Sequence, residues 1–193
     1  MKREKATTIP AVVLERLIRG RVAVEMLTVI GASVVIAIAA QIAIPIPFTP
    51  VPLTLQPLAV LLVGVVLGST RGAAAAALYL LEGASGLPVF AQGHGGAFWL
   101  ASATAGYLYS YPLAAGLAGW LSEHGWGSRT LRAVVGMLAA LGIISLGGWA
   151  WLAVLFGARA AFAMGVAPFF VADVVKIAIA ATLLPYAQRL ITR

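Results

Sequence analysis

Residues 166–180 read VAPFFVADVVKIAIA and place an acid, Asp173, and a base, Lys176, three residues apart in an otherwise apolar segment. In a helix, this spacing brings both groups to one face. Each charge at the centre of a lipid-facing helix costs about 2.5–3.5 kcal/mol on insertion scales, and hydrocarbon offers it no partner. We therefore expect the pair to face protein or a polar ligand and to form the floor of a binding site. The alternative is a structural ion pair that locks this helix to its neighbours.

The remainder of the chain is equally apolar. Of its 193 residues, 62% are hydrophobic and only 10% are charged. A soluble domain carries about a quarter charged residues, so the solvent of this fold is membrane lipid. The net charge of +7 comes from basic residues beside the hydrophobic stretches and does not indicate nucleic acid. The absence of cysteine and the presence of only two histidines, in separate loops, argue against a metal site.

Six apolar stretches predict an all-α membrane protein, a six-helix transmembrane bundle, with spans at about 22–44, 52–68, 72–86, 98–121, 132–157 and 165–187. The second and third are short for a span, which needs about 20 residues. They are counted as two helices because glycines separate them. Residues 22–193 thus form a single domain after a cytoplasmic or interfacial segment, residues 1–21, whose apolar and charged residues suit a short helix on the membrane surface.

The positive charges predict the orientation of the bundle. With six spans, nearly all Lys and Arg residues fall on one side, and such a bias marks the cytoplasmic side. Both termini are therefore expected in the cytoplasm of a multi-pass plasma membrane protein. The residues on that side are Lys2, Arg3, Lys5, Arg16, Arg19, Arg21, Arg71, Arg129, Arg132, Arg189 and Arg193.

With this orientation, the uncharged polar residues gather in the outer half of the membrane. Two outer linkers are unusual: IPIPFTPVP (residues 44–52) has four prolines, and residues 86–96 contain four glycines besides Pro88. We expect a solute pocket that opens to the outside, with these linkers as lids, although the first is also explained as a plain helix breaker. The residues predicted for the lids are Pro47, Thr49, Pro50, Pro52, Gly95 and Gly96.

Three segments carry a resemblance to a known family: IPIPFTPVPLTLQPLAVLLVGVVLG (residues 44–68), GLPVFAQGHGG (86–96) and PFFVADVVKIAIAA (168–181). They resemble the BioY family, the biotin-specific substrate-binding membrane subunits, or S components, of energy-coupling factor (ECF) transporters. The likeness extends from about Gln41 to Ala181. The PFTPVPxTLQ motif is highly specific, whereas the glycine-rich element alone would be weak.

The resemblance implies high-affinity capture of biotin from outside, with a transmembrane coupling subunit and two ATPase subunits as partners. Biotin would be the transported ligand; no cofactor, catalytic residue or ATP hydrolysis is expected in this chain. Asp173 would accept from the ureido edge, and Lys176 would serve as its counter-ion and as a donor to a ligand oxygen, or the two ends would be reversed. Further hydrogen bonds are expected from Gln56, Gln92, Thr104 and Tyr107, and ring contacts from Phe90 and Trp99.

One helix face is a candidate for docking the coupling subunit. Ser33 and Ala37 stand at small-xxx-small spacing in the first span, which permits close helix approach. In relatives of this family, a similar patch docks the partner. Internal packing explains the spacing nearly as well.

Other functions stay open at this point. A self-sufficient secondary transporter often shows inverted repeats and broken midplane helices, and no convincing repeat is present. An intramembrane lipid-modifying enzyme would need a nucleophile with a base, or a set of metal ligands, and single acids on different helices are a poor start. An S component for another small vitamin is the remaining alternative.

Overall fold

Helices make up most of the chain, as the apolar stretches predict. The computed structural model describes residues 11–126 and 130–191, and the side chains of residues 20–126, 130–180 and 182. In this part the α-helices are α1 (Ala11–Gln41), α2 (Gln56–Leu67), α3 (Ser69–Ala84), α4 (Ala105–Glu123), α5 (Thr130–Phe156), α6 (Ala158–Gly165) and α7 (Ala167–Ile191). Two short strands, β1 (Ala43–Ile44) and β2 (Leu53–Thr54), pair antiparallel between α1 and α2.

Among the described helices, two are long and apolar enough to cross a membrane on their own: residues 20–41 of α1 and all of α5. Helices α6 and α7 are bent by 40° at Val166 and form a third candidate span if they are counted together. Helix α2 is apolar but has only 12 residues, fewer than the roughly 20 that a span needs. The helical membrane fold is thus confirmed, and the number of six spans stays a prediction.

The boundaries of three predicted elements differ in the structure. Residues 158–165, expected in an outer loop and at the very start of the sixth span, form α6 because the segment ARAAFAMG is rich in alanine, the strongest helix former. Residues 97–101 form a 3-10 turn, and α4 begins only at Ala105. Helix α1 continues without a break from Ala11, where a separate surface helix is expected.

Helix α4 lies at the centre of the bundle and packs against α2, α3 and α5. The contact between α2, α3 and α4 depends on small residues. A Cβ atom at Gly64 would collide with the backbone of Ala115 in α4, and one at Gly72 would collide with Gly64. Such residues let helix backbones approach closely, which is the usual way in which membrane helices gain packing energy.

Large apolar side chains cover the outside of the bundle. Leu27 and Ile38 of α1, Val154 of α5 and Phe170 of α7 each expose more than half of their surface, and Val154 exposes 84%. Exposed apolar surface of this extent marks a protein whose exterior meets an apolar phase. The outer surface therefore fits a lipid environment.

Ser33, one of the two residues predicted to dock a partner, lies inside the fold. Its side chain is fully buried, and its Oγ atom lies 3.0 Å from Oε1 of Glu82 in α3 and 2.8 Å from the carbonyl oxygen of Ile30. The docking role of Ser33 is therefore corrected to internal packing of α1 on α3. Small-xxx-small spacing indicates close helix approach but does not tell an internal neighbour from an external one. Ala37 is half-buried, and its docking role stays a prediction.

Candidate ligand-binding site

A cavity of about 150 Å³ lies at one end of the bundle. Two connections border it: the proline loop (residues 42–55) between α1 and α2, and the glycine loop (residues 85–104) between α3 and α4. Its remaining walls come from α2, α4, α5 and α7 and from the last residue of α6. The lining residues are Pro50, Val51, Pro52, Leu53, Thr54, Gln56, Pro57, Phe90, Ala91, Gln92, His94, Trp99, Thr104, Tyr107, Leu108, Tyr111, Leu141, Ile144, Ser145, Gly165, Phe169 and Asp173.

The cavity brings together seven of the eight residues predicted to contact a ligand: Gln56, Phe90, Gln92, Trp99, Thr104, Tyr107 and Asp173. These residues come from four separate parts of the chain, so only the fold could assemble them. Of the predicted lid residues, Pro50 and Pro52 line the cavity, whereas Pro47, Thr49, Gly95 and Gly96 belong to the two loops without lining it. Ligand contact by the seven residues stays a prediction.

Lys176 is the predicted contact that does not line the cavity. Its Nζ atom donates to Oδ1 of Asp173 at 2.8 Å and to the backbone oxygen of Thr54 at 2.9 Å. The amino group thus lies between the acid and β2 of the proline loop. The side chains of Lys176 and Asp173 are only 17% and 13% exposed. This geometry fits the predicted counter-ion role and adds a link to the proline loop. Two of the three ammonium donors are engaged, and donation by Lys176 to a ligand stays a prediction.

Asp173 itself faces the cavity with one oxygen already engaged. Lys176 bonds Oδ1, and no hydrogen bond to Oδ2 is found in the described part of the chain. A largely buried carboxylate is unfavourable unless its charge is paired and its oxygens accept hydrogen bonds. Asp173 therefore keeps free acceptor positions and lines the cavity.

A chain of hydrogen bonds joins the cavity wall to the glycine loop. Nε2 of Gln56 donates to the hydroxyl oxygen of Tyr79 at 2.7 Å, and that hydroxyl donates to the carbonyl oxygen of Val89 at 3.1 Å. Both side chains are buried. Because a buried hydroxyl or amide without a partner is costly, this chain fixes the side-chain amide of Gln56 and the start of the loop together.

The glycine loop owes its shape to Phe90 and Gln92. The ring of Phe90 is buried against Gly83 of α3, where any side chain would collide with it. Gln92 has a φ of 62°, a left-handed conformation that only a few per cent of non-glycine residues adopt. His94 closes the turn, since its carbonyl oxygen accepts from the amide of Phe90 at 2.9 Å. Its ring stacks on Trp99 with the centroids 3.9 Å apart, so both rings stand at the cavity wall.

Tyr107 connects the cavity to the break between α6 and α7. It lies in the first turn of α4, and its hydroxyl donates to the carbonyl oxygen of Gly165 at 2.6 Å. Thr104, the residue before α4, shares a hydrogen bond of 2.9 Å with Ser102. The hydroxyl oxygen of Tyr107 keeps capacity to accept a hydrogen bond from a ligand.

Sequence reasoning missed several wall residues. Tyr111 is not among the predicted ligand contacts, yet it is buried and lines the cavity. Its position one helical turn after Tyr107 was a usable signal. Leu141, Ile144 and Ser145 line the cavity from α5, and nothing in that long apolar stretch distinguishes them from lipid-facing neighbours.

Metal binding has no support in the described residues, where no group of three or more His, Asp or Glu side chains could hold an ion. Glu82 of α3 contacts Ser33 and does not line the cavity.

Comparisons with known proteins show the family of the chain. Residues 8–193 match the model of the BioY family. The chain is 42% identical over 155 residues to a probable biotin transporter BioY of Pyrococcus horikoshii, covering 80% of this chain and 88% of the relative. It is 40% identical over 168 residues to the biotin transporter BioY of Rhizobium etli, covering 82% and 89%.

A solved structure supports the fold independently. The crystal structure of the S component for biotin from an ECF-type ABC transporter superimposes with a TM-score of 0.79 at 20% sequence identity, covering 88% of this chain and 93% of that one. At this identity, the likeness shows the fold alone. Together with the family match and the relatives at 40% identity or more, it leads to one conclusion: the chain belongs to the BioY family.

Proposed function

We propose that this chain is the biotin-binding S component of an ECF transporter and that biotin occupies the cavity between the two loops. The observation that carries the proposal is Asp173, an acid in an apolar helix whose carboxylate lines the cavity and is paired with Lys176. Two relatives that are at least 40% identical to this chain over the aligned residues are named a probable biotin transporter and a biotin transporter, which supports the same ligand here.

The chemistry of the cavity suits the two ends of biotin differently. The ureido ring offers two N–H donors and a carbonyl acceptor, and the valeryl tail ends in a carboxylate. Asp173 offers only acceptor positions when it is ionised. Like charges repel strongly in a site of low dielectric, so the ureido N–H groups, rather than the tail carboxylate, meet Asp173. The amide of Gln92, held at the cavity wall, is suited to the tail or to the ureido oxygen.

The apolar part of biotin requires an apolar wall. Phe90 and Trp99 from the glycine loop and Tyr111, Leu141 and Ile144 from the helices supply it. Ligand sites typically combine such a lining with a few directed polar groups. Burial of the bicycle among these side chains adds affinity in proportion to the apolar area removed from water.

The orientation of the bundle follows the charges. Arg21, Arg71 and Arg132 lie at the end of the bundle opposite the cavity, where α2 meets α3 and α5 begins. Positive residues mark the cytoplasmic side. We infer six spans in all, with α2 and α3 as short spans and α6 joined to α7 as the last, both termini in the cytoplasm and the cavity open to the outside.

The partners of the chain would be a transmembrane coupling subunit and two ATPase subunits. This chain would supply ligand binding and no ATP hydrolysis. With Ser33 inside the fold, the exposed side of α1 is the surface we propose for docking. It includes Gly31, which is exposed and has nothing within 4 Å of an added Cβ.

A matched pair of variants tests the docking surface. Gly31→Trp is expected to abolish co-purification with the coupling subunit while biotin binding by the isolated chain is retained. Gly142→Trp on α5, where an added Cβ also meets nothing within 4 Å, is the control and should leave the complex intact. An intact complex with Gly31→Trp would place the docking surface elsewhere.

Radiolabelled biotin tests the proposed function. The purified chain in detergent should bind biotin, and proteoliposomes with the coupling and ATPase subunits should take it up only with ATP. Uptake by the chain alone, driven by an ion gradient, would instead indicate a secondary transporter. Absence of biotin binding together with binding of another vitamin would reassign the ligand.

A further inference from the structure

We infer that Gln41, the last residue of α1, is a positioning residue that holds the glycine loop in its ligand-contacting shape. The inference rests on the proposed function, because the loop is taken to contact biotin. Gln41 does not line the cavity, so it would act through the loop and not by touching the ligand.

The side chain of Gln41 reaches the glycine loop with both ends of its amide. Nε2 lies 3.1 Å from the carbonyl oxygen of Phe90 and 3.3 Å from that of Val89. Oε1 accepts from the backbone amide of Gly93 at 2.9 Å. The amide of Gln41 therefore donates to the carbonyl groups that precede Gln92 and accepts from the amide that follows it.

The turn that Gln41 holds is the part of the loop that lines the cavity. Phe90, Gln92 and His94 all belong to it and all face the cavity. Gln92 keeps its unfavourable left-handed conformation only because the neighbouring backbone is fixed. The bond from Gly93 to Gln41 fixes the residue that follows Gln92.

A second side chain shares one of the same acceptors from the opposite side. The carbonyl oxygen of Val89 accepts from Tyr79 at 3.1 Å as well as from Gln41. Tyr79 is fully buried, whereas Gln41 is exposed. The loop is thus held between an internal clamp from α3 and an external clamp from α1, and only the external one can be removed without disturbing the core.

Gln41 also ties the loop to the start of the proline loop. Nε2 lies 3.2 Å from the carbonyl oxygen of Ala37, one turn earlier in α1, and the proline loop begins at the next residue, Ile42. A shift of the outer end of α1 would therefore reach both borders of the cavity. This gives Gln41 a role that its polar character at a helix end does not by itself suggest.

Two variants separate the positioning role from simple support of α1. Gln41→Met keeps the length and packing of the side chain and removes all its hydrogen bonds to the loop. Gln41→Glu keeps the acceptor for Gly93 and sets a carboxylate oxygen against the carbonyls of Val89 and Phe90. Ser85→Ala is the control: it removes one side-chain bond to a carbonyl, that of Glu82, at the edge of the same loop.

The first measurement is amide hydrogen exchange in the ligand-free chain, which does not depend on the identity of the ligand. In Gln41→Met, exchange of residues 89–94 should rise about tenfold while α2 and α4 keep their protection. Added biotin should restore part of that protection. If only the last turn of α1 exchanges faster and the loop is unchanged, Gln41 caps its own helix and the inference is overturned.

The second measurement is the dissociation rate of tritiated biotin chased with unlabelled biotin. We expect about tenfold faster release from Gln41→Met and also faster release from Gln41→Glu, with the wild-type rate for Ser85→Ala. Unchanged release from both Gln41 variants would contradict the positioning role. Failure of the wild type to bind biotin would instead contradict the proposed function, and the exchange experiment would still decide the link between Gln41 and the loop.

Discussion

The two loops that border the cavity are held by different kinds of interaction. The proline loop is tied to α7 through a charged group, because Lys176 donates both to Thr54 and to Asp173. The glycine loop is tied to α1 and α3 by uncharged groups, the amide of Gln41 and the hydroxyl of Tyr79. The proline loop thus depends on the acid that lines the cavity, and the glycine loop depends on α1 and α3.

This difference assigns the loops different parts in binding. Hydrogen bonds that involve an ionised partner are roughly twice as strong as neutral ones, but the bond from Lys176 to the proline loop is made by the same amino group that pairs with Asp173. A ligand that engages Asp173 would therefore act on the proline loop through Lys176. The glycine loop, with Phe90 buried against Gly83, supplies a preformed wall.

Replacing the acid should disturb the site most. Asp173→Asn leaves Lys176 without its counter-ion, which costs about 3–5 kcal/mol of folding stability. It also replaces a carboxylate acceptor of the cavity, and a hydrogen bond to a charged group is worth about 1.5–3 kcal/mol. We expect biotin affinity, measured by calorimetry, to fall at least roughly 100-fold. Glu82→Gln, the same chemical change at an acid outside the cavity, is the control, and equal losses for the two variants would refute a specific role for Asp173.

Replacing the base should loosen the proline loop and leave the glycine loop unchanged. Lys176→Met retains the apolar stem but removes the bond to Thr54, so amide exchange of residues 42–55 should rise while that of residues 85–104 stays unchanged. Affinity should fall by roughly 10- to 100-fold, since Asp173 loses its partner. Arg132→Met, on the far end of the bundle, should have no effect. Equal exchange changes in both loops would show that they are not held independently.

Removing one hydroxyl should loosen only the glycine loop. Tyr79→Phe deletes the donor to Val89 and the acceptor for Gln56, at a cost of about 1–3 kcal/mol for the groups left without partners. We expect roughly tenfold weaker biotin binding and faster exchange of residues 89–94. Tyr109→Phe, whose hydroxyl donates to the carbonyl of Leu100, is the matched control. Unchanged binding with Tyr79→Phe would show that the hydroxyl of Tyr79 is not needed to hold the glycine loop in its binding shape.

The smallest change is expected at the tip of the proline loop. Thr49 does not line the cavity, and its hydroxyl oxygen accepts from the amide of Val51 within the turn. Thr49→Val should weaken biotin binding by no more than about threefold, the effect of one local hydrogen bond within the turn. Thr182→Val on α7 serves as the control. A loss as large as that of Lys176→Met would mean that Thr49 contacts the ligand after all.

Much of this site could be read from the sequence because its chemistry is unusual for its surroundings. An acid and a base in an apolar helix, prolines between spans and a run of glycines all depart from what a lipid-facing segment requires. The family resemblance then supplied the ligand-contact roles of Gln56, Gln92, Thr104, Tyr107, Phe90 and Trp99. These signals located nine of the lining residues: the seven predicted contacts and two predicted lid residues, Pro50 and Pro52.

The roles of other residues depend on which side chains lie next to them in the folded chain, and the sequence does not show these contacts directly. Spacing placed Ser33 on a close-packed face, and only the fold shows that the neighbour is Glu82 of α3. The amino group of Lys176 turns to Thr54, far away in the chain, and Ser145 is one polar residue in a long apolar helix.

Calorimetric titration of the purified chain with biotin in detergent is the most direct test of biotin binding in the cavity. We expect one biotin per chain, with desthiobiotin as a second ligand that keeps the ureido group facing Asp173 and therefore also binds. Binding of neither compound to folded protein would contradict the conclusion that the cavity between the proline loop and the glycine loop holds the ureido ring.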